Sequence, residues 1–465
     1  MEENQGVTSV SPQRRARIVV QVFCVDHVNL SAKALPMIES NPAFLHLTTT
    51  DRGGAGMAAV RIHRALANSG FHSHMVVGDG IGGDGITVCG GPAASLPRIA
   101  SKALFRSITW PRYYFRNQRY GLPSIAKTVE SVAAQIQLKP DAIVAHALTD
   151  LISFASVKRL ARRFDARVLW SLMDMASFTG GCHYAWGCEG YTTGCGDCPA
   201  LRFGSGPKDW SAKTLNEKRS ALAQMRTTVV AASTWLADQA RASALFCDTP
   251  IEIVPLSVSP ETFAPRDSVA VRSELGLDAS RPVVFFGARD HGDARKGMSI
   301  LEEALKKLAS LRGPGLLPTL LVAGNGAPFE ALAGEGYVVR QLGMLPPEGL
   351  AQAYAAADLY VSPSVEDSGP MMINEAVMSG TPVIAFDVGV AIDLIEPGAT
   401  GVIASRRNAD ALAAAMTHVL DWSADKKKHA TMRAREIGLS RCSPTAQAKA
   451  LARLALSDER QERPA

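Results

Sequence analysis

Two carboxylates with seven residues between them, Asp367 and Glu375, bracket the start of a short helical pattern within residues 362–389. The stretch reads as a strand end and a loop carrying Glu366 and Asp367. A helix follows from Met371, carries Glu375 and stops at Gly380, and Pro382 then leads into a buried strand, Val383 to Phe386. In an open α/β sheet, ligands bind in the crevice at the carboxyl ends of the strands. Acids there accept hydrogen bonds from sugar hydroxyls, while a helix N-terminus offers amides and a favourable dipole to a phosphate. On spacing alone, acids that only cap and solubilise the helix stay open as an alternative.

A basic loop supplies the complementary charge. Phe286-Gly-Ala-Arg-Asp-His-Gly-Asp-Ala-Arg-Lys-Gly follows one strand pattern and precedes a helix, and it contains Arg289, Arg295 and Lys296. Cations beside a departing diphosphate stabilise the charge it develops without needing a metal; a surface basic loop is the plainer alternative. Asp51-Arg-Gly-Gly-Ala-Gly, also between strand and helix, lets backbone amides approach an anion or a sugar at Gly53 and Gly54. It is not a Gly-x-Gly-x-x-Gly fingerprint and gives little support to a dinucleotide site. Gly324, in Leu321-Val-Ala-Gly-Asn-Gly, closes another strand-to-turn junction that could line a base pocket. His146 stands at the end of a strand pattern, Ala142–Ala145, as a cleft residue or a core histidine.

These residues need two sheets to position them. At 465 residues the chain exceeds one core and suggests two domains of about 200 residues each. Strand-like runs at 17–25, 44–48, 74–77, 142–145, 168–172, 228–231 and 251–254 alternate with helical segments, among them 57–69. After a break at 257–281, rich in Pro, Ser and Asp, a second series begins at 283–286, 320–322, 337–340, 359–361, 383–386 and 401–403. Its helices are expected at 298–310, 348–356, 371–379 and 409–420. This alternation predicts an α/β chain of mostly parallel, doubly wound sheets covered by helices on both faces. Two such Rossmann-like halves facing across a cleft, the GT-B architecture, are what the resemblance of residues 362–389 to group 1 glycosyltransferases implies. The expected bounds are an extension at 1–43, whose first residues look disordered, a first domain at 44–257 and a second at 282–440. A C-terminal helix and tail at 441–465 are expected to pack back on the first half.

Four cysteines, Cys182, Cys188, Cys195 and Cys198, are spaced x5, x6 and x2 within 17 residues. A cluster ending in Cys-x2-Cys suggests structural zinc, with disulfides as the rival reading. The single cysteines Cys24, Cys89, Cys247 and Cys442 read as buried thiols. No catalytic cofactor is expected.

The stretch 362–389 resembles the nucleotide-sugar site of the group 1 (family 4) retaining glycosyltransferases and their Glu-x7-Glu signature, with Asp367 as the first acid. The resemblance assigns Glu375 to the ribose hydroxyls and Asp367 to the transferred sugar, with Glu366 next door able to substitute. It assigns the amides near Pro370, Met371 and Met372 to the diphosphate, Lys296 and Arg289 to the leaving group, and Gly53 and Gly54 to the acceptor-side loop. It also implies front-face attack with retention, and a bordering role at the base for the stretch from Gln341 to Leu350. Residues 173–199 resemble an exopolysaccharide-building subgroup that reads His-Asp-Met-Trp-x-Phe-Thr-Gly-Gly-Cys-His-Tyr. This chain keeps Asp174, which would help orient substrate, but has Met173 for the His and Ala176 for the Trp. A thioether cannot hold charge or donate a hydrogen bond. A catalytically silent relative that binds sugar nucleotide is therefore the alternative, and an epimerase is a third reading for which no acid/base pair stands out.

The formal charge of +5 is concentrated rather than spread. Residues 98–119 hold six basic residues, no acids, and Trp110, Tyr113, Tyr114 and Phe115. Such a patch suits anionic headgroups and lipid-linked acceptors, and no nucleic-acid fold motif accompanies it. Lys158, Arg159, Arg162 and Arg163 form a second basic face. No run approaches the ~18 apolar residues of a membrane helix, and residues 1–17 lack a signal-peptide core. A cytoplasmic protein, peripheral at the inner membrane face, is the expectation. Its partners would be a nucleotide-sugar donor and a glycan or lipid-linked glycan acceptor.

Overall fold

Short, β-branched, almost wholly apolar runs build two parallel sheets, each buried on both faces as such runs require. The computed structural model describes residues 41–90, 103–104, 107, 129–148, 151–326 and 328–457. All of these fall in one compact unit, Ser40–Ala465. The first sheet comprises β1 (Ala43–Thr50), β2 (His72–Asp79), β3 (Ile86–Val88), β4 (Ala142–Ala145), β5 (Arg167–Leu172), β6 (Thr227–Ala231) and β7 (Ile251–Ile253). Its order is β3-β2-β1-β4-β5-β6-β7. The second comprises β8 (Val283–Asp290), β9 (Thr319–Asn325), β10 (Val338–Gly343), β11 (Leu359–Ser362), β12 (Val383–Phe386) and β13 (Gly401–Ala404), in the order β10-β9-β8-β11-β12-β13. Each sheet reverses its winding once, between β1 and β4 and between β8 and β11. Both are therefore Rossmann sheets with a switch-point crevice at their carboxyl edge.

Side-chain alternation along each strand fills the layers. Leu45, Ile143, Val168 and Trp170 enter one core of the first half, and Phe44, Val144, Leu169 and Val230 enter the other. In the second half Val284, Phe286, Leu320 and Phe386 face one layer of helices, while Val283, Phe285, Leu321 and Val383 face the opposite layer.

The expected strands from 44–48 onward lie where the patterns placed them, with half of their ends extended by one to four residues. The first helix starts earlier than expected, running Gly53–Asn68, so the glycine turn is itself the helix start. A 19-residue helix, Ala424–Cys442, was not foreseen. Its charged sequence buries only small or isolated apolar positions such as Ala430, Ala434 and Ile437, a weak periodic signal. Cys247 is exposed, contrary to expectation, whereas Cys442 is buried and Cys89 half-buried. The expected strand at 17–25, Cys24 and nearly all of the 98–119 patch lie outside the described residues. Among the described residues, no helix is long and apolar enough to cross a membrane.

The final helix, Pro444–Leu456, returns to the first half as expected. Ala448, Leu451 and Ala452 close the core around Phe44, Ile62 and Leu66. Gln447, 2% exposed, accepts from Ser257 Oγ at 2.8 Å and donates to the Pro255 carbonyl at 2.9 Å. Replacing Gln447 by Ala leaves both partners buried without it. A loss of about 1–3 kcal/mol is expected in denaturant unfolding, and an unchanged midpoint would show that this crossing adds nothing to stability.

Candidate functional site

The cleft is assembled from loops at the carboxyl ends of β1, β5, β8 and β11. In the second half, the loop after β8 brings Lys296 to Asp367 in the loop after β11, with Nζ and Oδ2 2.5 Å apart. Gly297 makes this approach possible. Its φ is +66°, and a Cβ there would lie 1.9 Å from the Pro363 carbonyl oxygen. Asp367 is 5% exposed. Burial alone would raise its carboxyl, but the Lys296 ammonium outweighs that and, with Arg295 and the Gly369 N–H, holds it below the usual range.

Seven residues further on, Glu375 sits in the helix Met371–Met378 and is 4% exposed. Its Oε2 accepts from the Tyr354 hydroxyl at 3.3 Å, and Arg61, on the first helix of the other half, reaches its Oε1 at 3.7 Å. Burial dominates and pushes the Glu375 carboxyl up to about 7. The helix opens at Pro370 without a side-chain cap, so the first-turn amides of Met371 and Met372 are available to an anion. Met372 fits because β8 has Gly287 opposite it, where a Cβ would stand 2.4 Å from the Met372 methyl. Gly324, at φ +127°, packs against the Ala288 carbonyl at the end of β9.

The two cationic candidates are placed differently. Arg289 is exposed, and its guanidinium lies 3.8 Å from where a Cβ of Gly53 would stand, so it faces the glycine turn across the cleft. Arg295 is half-buried, paired with Asp293 at 2.5 Å and stacked 4.2 Å from the Tyr184 ring centre. The loop order Arg-then-Lys thus leaves Arg289 facing the cleft, with no ion-pair partner among the described residues.

From the first half, Asp174 caps the turn Met175–Ser177 and holds His183, Nδ1 to Oδ2 2.5 Å. Burial works against the imidazolium, but the Asp174 carboxylate outweighs it and raises His183 above its ordinary value. Met173 presents its carbonyl to Ser368 Oγ at 2.6 Å, and its side chain packs half-buried beside the last helix's core. Ser368 also receives Ser233 Oγ on its carbonyl at 2.7 Å. Glu366 accepts from the Trp186 N–H at 3.0 Å. None of these cross-cleft partners, Arg61, Ser233 or Trp186, stood out in the sequence. Ser233 carries only the ordinary helix-cap signal, and it also caps the helix Thr234–Ala242.

His146 does not line the cleft. It is 2% exposed, stacked on His46, with His146 Nε2 3.0 Å from His46 Nδ1, and burial lowers its pKa to about 3. It is a core histidine just past the carboxyl end of β4. Cys182, Cys188, Cys195 and Cys198 all line one pocket. Among the described residues, no three metal-ligating side chains are spaced to hold an ion. The second basic face lies on the helix Phe154–Phe164, where Arg159, Arg162 and Arg163 are exposed and Arg162 donates to Gln224 at 2.7 Å.

Two Rossmann domains with their switch-point crevices joined in one cleft make this a GT-B protein. Residues 281–421 match the family described as glycosyl transferases group 1. The D-inositol 3-phosphate glycosyltransferase of Nocardia farcinica is 35% identical over 164 residues, 33% of this chain and 36% of that one. The chain thus spans little more than a third of the length of that relative. Sucrose-phosphate synthase from Thermosynechococcus elongatus shares the fold over 89% of this chain and 98% of its own, with TM-score 0.60 and 18% identity. Anabaena HepE, solved in complex with UDP and glucose, does so over 90% and 100%, with TM-score 0.57 and 15% identity.

The burial of Glu375 has a pH consequence. Between the ordinary value of 4.5 and about 7, the folded chain keeps a proton that the unfolded chain has lost. Stability therefore falls as pH rises through that window. Glu375→Gln has no such proton to lose. Its stability relative to wild type should rise between about pH 5 and about pH 8, by at most about 3 kcal/mol. A pH-independent difference in thermal unfolding would contradict the burial.

Proposed function

We propose that this chain is a retaining glycosyltransferase that needs no catalytic metal. It moves a sugar from a nucleoside-diphosphate sugar to a glycan or lipid-linked glycan acceptor in bacterial polysaccharide biosynthesis. The observation that carries the reading is the Lys296–Asp367 pair at the mouth of an uncapped helix start, with buried Glu375 one helical stretch beyond. Ribose hydroxyls suit Glu375, which Arg61 and Tyr354 already hold in place. The diphosphate suits the amides of Met371 and Met372, with Lys296 from the same half and Arg289 from the far side of the β8 loop. Asp367 is oriented by Lys296 to accept from a hydroxyl of the transferred sugar.

Departure of the diphosphate places negative charge where these cations already stand, so the stabilisation grows toward the transition state. The reading requires no carboxylate as a covalent nucleophile. The acceptor attacks the face from which the diphosphate leaves, and the leaving diphosphate takes the acceptor's proton. The Asp174–His183 pair orients substrate from the first half. With Met173 in place of an ionisable residue, that role falls to neighbours rather than to the Met173 side chain. The Nocardia farcinica relative is named a glycosyltransferase and HepE was solved with UDP and glucose, which supports a nucleotide-sugar donor. The exposed arginines at 159, 162 and 163 suit an anionic, lipid-linked acceptor at the inner face of the cell membrane.

The test is release of nucleoside diphosphate from a panel of UDP-, GDP- and ADP-sugars, with membrane lipid extract as acceptor. One donor should be turned over by wild type, and Lys296→Ala should lower the rate by about 100- to 1,000-fold. Binding of a donor without release from any of them would make the chain a silent relative.

A further inference from the structure

The four-cysteine segment plays no part in the cleft chemistry above, yet it folds around its own pocket. We propose that Cys182, Cys188, Cys195 and Cys198 bind one Zn²⁺ as a structural tetrathiolate site that fixes the 174–199 loop against the helix Trp210–Leu222. All four thiols line one pocket, whose other walls are small or apolar groups such as Gly180, Ala185 and Pro199. As they stand, the sulfurs do not form a finished shell. No three of them are spaced to hold an ion, so binding would have to draw the four sulfurs together. Zinc suits such an all-sulfur set, and each thiol gives its proton to solvent as the metal–sulfur bond forms.

Two features of this region suit a bound cation held by thiolates. The first is Lys218. Its ammonium is 8% exposed and donates to the carbonyls of Ala176 at 2.7 Å and Thr179 at 2.8 Å. Among the described residues it has no carboxylate in ion-pair range, although a buried cation ordinarily requires a counter-charge. Negative charge on Cys195, Asp174 or Cys182 would favour its ammonium. A zinc ion with four thiolates carries a net charge of about −2 and would supply that counter-charge.

The second feature is the backbone. Gly194, Cys195, Gly196 and Asp197 have successive φ values of +125°, +60°, +99° and +47°, two of them at residues with a Cβ. Such a run is costly and persists only where its surroundings over-determine it. The loop is pinned at several points. Gly180 N–H donates to Cys195 Sγ at 3.3 Å, Gly196 N–H to Ser211 Oγ at 3.0 Å, and Cys198 N–H to buried Asp209 at 2.9 Å. The amide-to-sulfur bond is the outer-shell contact a metal-bound thiolate uses. The Cys-Gly-Asp-Cys turn thereby aims its two sulfurs inward, where a bound ion would repay the strain.

This inference stands apart from the transferase reading, because its readouts are metal content and folding rather than turnover. The full chain, purified under reducing conditions, should contain about one zinc per chain by elemental analysis. Cobalt substitution should give a thiolate-to-metal charge-transfer band, and chelation should lower the melting temperature, with recovery on adding Zn²⁺. Cys195→Ser with Cys198→Ser should lose the metal; should that variant fail to fold, chelation and zinc return on the wild type decide the matter. Metal-free protein whose melting temperature is unmoved by Zn²⁺ would overturn the proposal. So would an intact mass showing that the four cysteines pair as disulfides.

Discussion

The close pairing of Lys296 with Asp367 sets the geometry of the cleft, because each is placed by a loop that could not otherwise meet the other. Lys296 arrives on a turn that only a glycine at 297 lets pass beneath the Pro363 carbonyl. Asp367 is buried by the loop after β11, and that loop is fixed in turn from the first half, where Ser233 and the Met173 backbone both bond Ser368. A buried carboxylate without a cation would protonate or pull the loop open. With Lys296 present it stays charged, one residue from Ser368 and three from an uncapped helix start. In the proposed reading, the same pair that anchors the loop prepares a site for hydroxyl and phosphate together.

The second constraint is the contrast between the two acids. Asp367 is held below the ordinary range by a direct ion pair, whereas Glu375, at 3.7 Å from Arg61, is pushed up by burial that its partners only partly offset. A hydroxyl pair delivered by a ribose would complete what Arg61 and Tyr354 leave short. Arg61 belongs to the first helix and Glu375 to the second half, so filling this position couples nucleotide binding to the contact between halves. Thr234 and Asp393, hydrogen-bonded across the same boundary, add to that coupling.

Much of this was legible in the chain. Continuous apolar runs gave the strands their positions because parallel strands are buried on both faces. Their ends were not legible, since β8 and β9 continue into polar residues, Arg289–Asp290 and Asn325, by backbone pairing alone. The acids, Lys296 and the cysteines could be found because their chemistry is written in residue type and spacing. His146 could not be placed, because a histidine after a strand reads the same whether it faces a cleft or, as here, stacks on His46. The contacts of Arg61, Ser233 and Trp186 join residues 135 to more than 300 positions apart. Nothing local in the sequence marks such pairs.

The central claim is that a nucleotide sugar lies along the second-half crevice with its diphosphate between Lys296 and the start of the Met371–Met378 helix. A crystal structure with the donor that the panel selects tests it most directly. The account predicts phosphate oxygens within hydrogen-bond distance of Lys296 Nζ and the amides of Met371 and Met372, and ribose hydroxyls on Glu375. A donor bound elsewhere, with the Lys296–Asp367 pair and the helix start left untouched, would contradict it.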